Sequence, residues 1–192
     1  MERWRGLTAD EMQLLETTFW SAGGSRHGMA EQLGFSKSKA NALIAGLVDQ
    51  GLLAEAGLQR SSGGRRAENL QISTSLGVLV GIDIGATSLD LAVLGPDLQP
   101  LAQCAETADV LQGPGVVLAR VRVLMRELLA QCGLDASKVM GIGIGVPGPV
   151  NFQIGQLVNP PLMPAWDGFS IREALREDYA APVFVDNDVN LM

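Results

Sequence analysis

Before residue 51, apolar positions recur at helical spacing in three places. Met12, Leu15 and Phe19 lie three and four residues apart, which gives one apolar face to a helix over residues 9 to about 19. Thr8 precedes it as a helix cap, and Asp10 and Glu11 fall in the first turn, where the helix dipole favours acids. Gly23-Gly24 ends it. Ser25 opens a short second helix over residues 26–33, closed by Gly34 where left-handed backbone is wanted. Phe35 and the capping residue Ser36 start a third helix that runs to Gln50. Its buried stripe is Ala40, Leu43, Ile44, Leu47 and Val48, which leaves Lys37, Ser38 and Asn41 on the opposite face.

After residue 51 the pattern turns strand-like. Residues 52–55 and 69–72 read as two short strands flanking the loop 59–66, which is rich in glycine, serine and arginine. An apolar, β-branched run over 76–84 predicts a buried strand. Residues 89–94 and 98–106 follow as further strands, separated by turns at Asp83–Ser88 and at Pro96-Asp97. A helix is predicted over 115–131, with Val117, Val121, Leu124 and Leu128 buried. Then comes a glycine-interleaved strand over 139–146, ending in Pro147-Gly148-Pro149, and a short strand over 183–185. Three strands in a meander, a crossover helix and a fourth strand parallel to the first make a ribonuclease-H-like core. The expected architecture is α/β with a mostly helical N-terminal unit. A boundary between residues 73 and 74 is expected to separate a winged helix-turn-helix from one lobe of an actin-like ATPase fold.

With 192 residues, the chain holds one domain of ordinary size and a small one. Its apolar fraction of 47% belongs to a core-forming protein. The net charge of −7 is unevenly spread: residues 1–70 carry eight Lys/Arg and eight Asp/Glu, and residues 71–192 carry six and thirteen. Overall acidity does not exclude DNA, because phosphate contact depends on a local basic patch. Residues 56–67 hold Arg60, Arg65 and Arg66 and no acid. Cys104 and Cys132 make no disulfide framework. No signal peptide is visible, and the longest apolar run (78–84) is too short to span a bilayer, so a soluble cytoplasmic protein without membrane contact is expected.

These positions suggest two chemistries. In a helix-turn-helix the start of the second helix reaches base edges, so Lys37, Ser38, Lys39 and Asn41 are candidate DNA contacts. Asn suits adenine; Lys suits guanine or phosphate. A following hairpin acts as a wing, and Arg60, Arg65 and Arg66 suit a narrow minor groove. In Asp83-Ile84-Gly85-Ala86-Thr87, Gly85 lets backbone approach a phosphate, Thr87 offers a hydroxyl, and Asp83 can hold a metal-bound water. At the end of a strand, Asn187 and Asp188 are placed for sugar hydroxyls, with Asp188 as a general base. They read equally as an Asx-rich turn capping the next helix. Asn159 and the Trp166 face suit carbohydrate, and equally suit a proline-pinned loop.

The chain resembles the ROK family (repressors, open reading frames and kinases) in its transcriptional-regulator branch. The resemblance rests on four motifs in order: Ser61-Ser62-Gly63-Gly64-Arg65-Arg66, residues 81–87, residues 141–150 and residues 185–190. It implies a dimer or tetramer on a double-stranded operator, probed by a sugar or sugar-derivative effector. It implies sugar contact at Asn187, the kinases' catalytic base at Asp188, and an ATP-facing turn at residues 83–87. Ala86 stands where the kinases usually have a second glycine, and its methyl group crowds a phosphate. The family's second lobe carries a sugar-binding Glu, a His/Cys zinc site and an adenosine pocket, and it is not found within these residues. The expectation is therefore an incomplete lobe with exposed apolar surface, no metal, no cofactor and no kinase activity. A sugar kinase remains the alternative reading.

Overall fold

Thr8 caps α1 (Ala9–Trp20) through a reciprocal capping box: its hydroxyl accepts from the Glu11 amide, and the Glu11 carboxylate accepts from the Thr8 amide. Residues 6–58 and 68–191 are described by the computed structural model of the chain. By backbone contacts these divide into two compact units, Met1–Leu76 and Gly77–Met192, three residues after the expected boundary.

In the first unit, β1 (Gly24–Ser25) leads into α2 (Arg26–Gln32), and α3 (Lys37–Asp49) follows a turn through Gly34, whose φ is +65°. Ser25 and Ser36 cap α2 and α3 with their hydroxyls. β2 (Leu53–Leu58) and β3 (Glu68–Ile72) pair antiparallel, and β1 joins the far side of β3, giving the sheet order β1-β3-β2. Leu14, Leu15, Met29, Ile44, Leu47, Leu52, Leu53 and Leu70 close one core beneath the three helices. The loop expected at 59–66, with Arg60, Arg65 and Arg66, lies outside the described residues.

The second unit begins after a short 3-10 turn at Thr74–Leu76, so its first strand starts two residues later than expected. β4 (Val78–Ile84), β5 (Ser88–Leu94) and β6 (Pro100–Thr107) form the meander. The third strand starts at Pro100 and not at Leu98, because Leu98 sits in the turn at φ +61°. α4 (Pro114–Gln131) crosses over to β7 (Val139–Val146), which runs parallel to β4. A small hairpin, β8 (Val150–Asn151) and β9 (Gln156–Leu157), and a short helix, α5 (Ile171–Arg176), come next. Neither was legible in the residue pattern. β10 (Val183–Asn187) is also parallel to β7, and α6 (Asp188–Leu191) follows it. The sheet order β10-β7-β4-β5-β6 gives the predicted meander, crossover and parallel fourth strand, with β10 as a fifth strand at the edge.

Val78, Val80, Ile82 and Ile84 alternate inward on β4, and Leu89, Leu91 and Val93 do so on β5. They pack against Val117, Leu118, Val121, Met125 and Leu128 of α4. Trp166, read as suiting either carbohydrate or a proline-pinned loop, is 0% exposed in this core, which leaves only the second reading. Its indole N–H donates to the Val110 carbonyl at 3.0 Å, and its ring meets Phe169 edge-on. A ring so enclosed has no free face for a sugar.

Candidate functional site

Because β4, β7 and β10 run parallel, their C-terminal ends lie on one edge of the sheet, where ligands bind in open α/β folds. The register sets Asp83 beside Gly145, and Gly145 beside Asp186. Asp83 and Asp188 lie near enough for their charges to interact. Asp83 is exposed at the sheet edge, but partial desolvation by the surrounding chain raises its carboxyl above the ordinary pKa, and the charges of Asp188 and then of Asp90, its partner on β5, push the same way. Two predicted site segments more than a hundred residues apart are thus brought together.

A stability consequence follows. Asp83 titrates higher in the folded chain than in the unfolded one, so its ionisation is disfavoured by folding. Stability is whole below about pH 4, the unfolded value, and is lost as pH rises through the higher folded value. Asp83→Asn should therefore unfold at slightly higher denaturant than the parent near pH 7, the difference kept small because solvent screens an exposed carboxylate. In urea titrations the two should converge near pH 3.5.

The turn after β4 is built differently from a bare phosphate cradle. The Gly85 amide donates to the Ser88 carbonyl at 2.9 Å, so it closes the β4–β5 connection and does not point at solvent. A Cβ there would fall 2.9 Å from the Ser88 hydroxyl, which would have to rotate away. Thr87 is exposed, and its carbonyl accepts from the Ala108 amide at 3.0 Å. The Ala86 carbonyl accepts from Val110, the residue that holds the Trp166 indole, so the buried tryptophan braces this turn from behind.

Asn187 is the last residue of β10 and not part of a loop. Its carboxamide nitrogen donates to the Gly148 carbonyl at 2.9 Å, and its oxygen accepts from the Val189 amide at 2.9 Å. It fastens β10 to the Pro147-Gly148-Pro149 turn and caps α6, as the Asx-turn reading expects. Asp188 is half-buried and also accepts from the Val189 amide. Asp186 accepts from Asn190, which locks this corner further. Asn159 is exposed at φ +45°, and its amide donates to Asp167 at 2.7 Å. The adjacent Pro160 ring abuts Gly148, where a Cβ would come within 2.9 Å. Residues 159–160, Gly148 and Asn187 therefore converge.

Sequence reasoning missed Arg172. From α5 its guanidinium donates to the Val183 carbonyl at 2.8 Å, to the Phe152 carbonyl at 2.8 Å and to the Gln153 carbonyl, tying the β8–β9 hairpin to β10. Among the described residues, no cluster of three or more His, Cys, Asp or Glu side chains is placed to hold a metal ion. Chemically, the edge offers two carboxylates whose charges interact, Asp83 and Asp188, with exposed polar side chains at Thr87 and Asn159, groups that can hydrogen-bond a polyhydroxylated ligand.

In the first unit, α3 exposes Lys37, Ser38 and Asn41 as predicted, and with them Ala42 and Ala45. Lys39 is exposed too, but its ammonium lies 2.8 Å from the Asp10 carboxylate and 4.2 Å from the centroid of the Phe35 ring. Lys37 has no ion-pair partner among the described residues.

Comparison with known proteins identifies the class. The ROK family model matches residues 79–192, and the chain belongs to the ROK family. The xylose repressor of Bacillus subtilis is 25% identical over 167 residues, spanning 86% of this chain and 42% of that protein. The crystal structure of a ROK family transcriptional regulator, a homologue of the E. coli MLC protein, superposes with a TM-score of 0.63 at 21% identity. It covers 93% of this chain and 46% of that one. A ROK family glucokinase from Streptomyces griseus, solved with glucose and AMPPNP, gives a TM-score of 0.51 at 21% identity over 59% of this chain and 34% of that one. The chain spans under half the length of the first curated relatives it matches. No described helix is long and apolar enough to cross a membrane.

Proposed function

We propose that the chain is a DNA-binding transcriptional regulator whose second unit senses a sugar. In this reading the first unit is a winged helix-turn-helix. α2 and α3 are its helix pair, β2 and β3 form the base of its wing, and Lys37, Ser38, Asn41, Arg60, Arg65 and Arg66 face the operator. Asn159, Asn187 and Asp188 belong to the effector pocket, beside the turn at Asp83, Gly85 and Thr87.

One observation carries the proposal. Similarity to a repressor and to a regulator of known structure runs through both units, over 86% and 93% of the chain, whereas similarity to the glucokinase structure covers 59%. A kinase reading leaves the first unit, with its exposed Lys37, Ser38 and Asn41, without a task. The kinase alternative is supported by one feature, the charge interaction between Asp188 and Asp83. It requires ATP-dependent phosphorylation of a hexose that Asp188→Asn abolishes.

Removing the wing arginines tests the regulator. In gel-shift titrations the Arg65→Ala/Arg66→Ala double variant should bind duplex DNA more weakly. The slope of log affinity against log salt should flatten by roughly one unit per lost phosphate contact. Binding unchanged in that variant would remove the wing from the account. For the sensor half, a thermal-shift screen should include xylose, glucose and N-acetylated hexosamines. A true effector at a hundred times its dissociation constant stabilises the folded state by about 2.7 kcal/mol.

A further inference from the structure

Three elements of the first unit meet at Lys39. The capping box of α1 is completed by Thr8 and Glu11, which leaves Asp10 free of capping duty and turned toward α3. Asp10 takes the Lys39 ammonium at 2.8 Å. Beneath the same ammonium lies the ring of Phe35, with its centroid 4.2 Å away. Phe35 sits just before the α3 cap, and its amide donates to the Ala30 carbonyl at 2.9 Å, so the ring is anchored in the turn that ends α2. Lys39 itself lies in the first turn of α3, where its amide is held by the Ser36 hydroxyl at 3.2 Å. A cation over an aromatic face and beside a carboxylate is doubly satisfied.

From this geometry we infer, building on the DNA-binding reading, that Lys39 is a positioning residue and not a phosphate contact. Its charge is paired with Asp10 at a half-exposed contact, and that pair together with the Phe35 ring links the start of α3 to α1 and the turn. Asp10 then limits the affinity for nucleic acid. It neutralises one of the two lysines at the start of α3 and adds a negative charge beside the surface that approaches phosphate. Lys37 is the lysine available to DNA.

The test needs no operator, because phosphate contacts alone support non-specific binding and its salt dependence. Fluorescence anisotropy of the full chain on a poly(dA–dT) duplex, from 25 to 200 mM salt in steps of order 25 mM, reads both affinity and slope. Lys37→Ala should flatten the slope by about one unit, and Lys39→Met should leave it unchanged. Asp10→Asn should bind several-fold more tightly and steepen the slope by about one unit as Lys39 is released. Adding Lys39→Met to Asp10→Asn should cancel the steepening. Circular dichroism of each variant checks that the helices remain. A slope flattened by Lys39→Met alone, as much as by Lys37→Ala, would overturn the inference, as would Asp10→Asn binding no better than the parent. If the parent itself leaves the duplex unbound at 25 mM salt, the DNA-binding reading fails, and this inference fails with it.

Discussion

Trp166→Ala should destabilise the second unit by about 3–5 kcal/mol, more than any other single truncation described here. The side chain is 0% exposed, and the substitution leaves a cavity lined by core residues that cannot all move in. It also strips the Val110 carbonyl of its indole donor. Thermal unfolding followed by circular dichroism should show the transition of this unit lowered by roughly 10–20 °C. The effect reaches the candidate site, because Val110 also donates to Ala86 in the turn after β4. A stacking platform for sugar would behave otherwise. Its removal would weaken ligand binding and leave the unliganded melting temperature nearly unchanged.

Arg172→Ala is the second large effect, at about 2–4 kcal/mol. Three backbone carbonyls from two separate segments lose one planar donor, and charged donors contribute more than neutral ones. Arg172→Lys should recover little, since a single ammonium cannot span carbonyls on the hairpin and on β10 together. The packing confirms how closely the side chain is held. Gly155 turns at φ +63°, and a Cβ there would lie 2.8 Å from the Arg172 Cβ. Urea denaturation measures the loss, and hydrogen exchange should show the amides of the β8–β9 hairpin exposed first. Release of the hairpin also separates the stacked Phe152 and Phe184 rings, whose centroids are 6.5 Å apart at the exposed edge of β10.

Much of this architecture was legible because long periodic segments carry their own signal. β7 starts and ends where its glycine-interleaved run predicts, and α4 differs by one residue at its start, where Pro114 takes the first helical position. The strand and hairpin pieces that escaped are two residues long, like Gly24–Ser25, and too short for any period to appear. β1 exists only because β3 offers Leu70 and Asn69 as partners to Gly24 and Ser25, 46 and 44 residues away. Burial of Trp166 was illegible for a related reason. An aromatic flanked by prolines and glycine looks like a surface loop until the Val110 turn and the Phe169 ring meet it. Long-range polar pairs are the hardest to foresee. Nothing in the local residues at Lys39 signals that Asp10, twenty-nine positions earlier, holds its charge. Likewise Asn187 has the composition of a free polar tip, but both ends of its carboxamide are bonded to backbone.

Selection of duplexes from a randomised DNA library by the full chain, followed by sequencing, tests the central claim most directly. A regulator of this design should enrich one motif within a few rounds. If it acts as a two-fold dimer, two inverted half-sites should appear with centres spaced by about 10 base pairs or a multiple. Recovered sequences indistinguishable from the starting library would contradict the account.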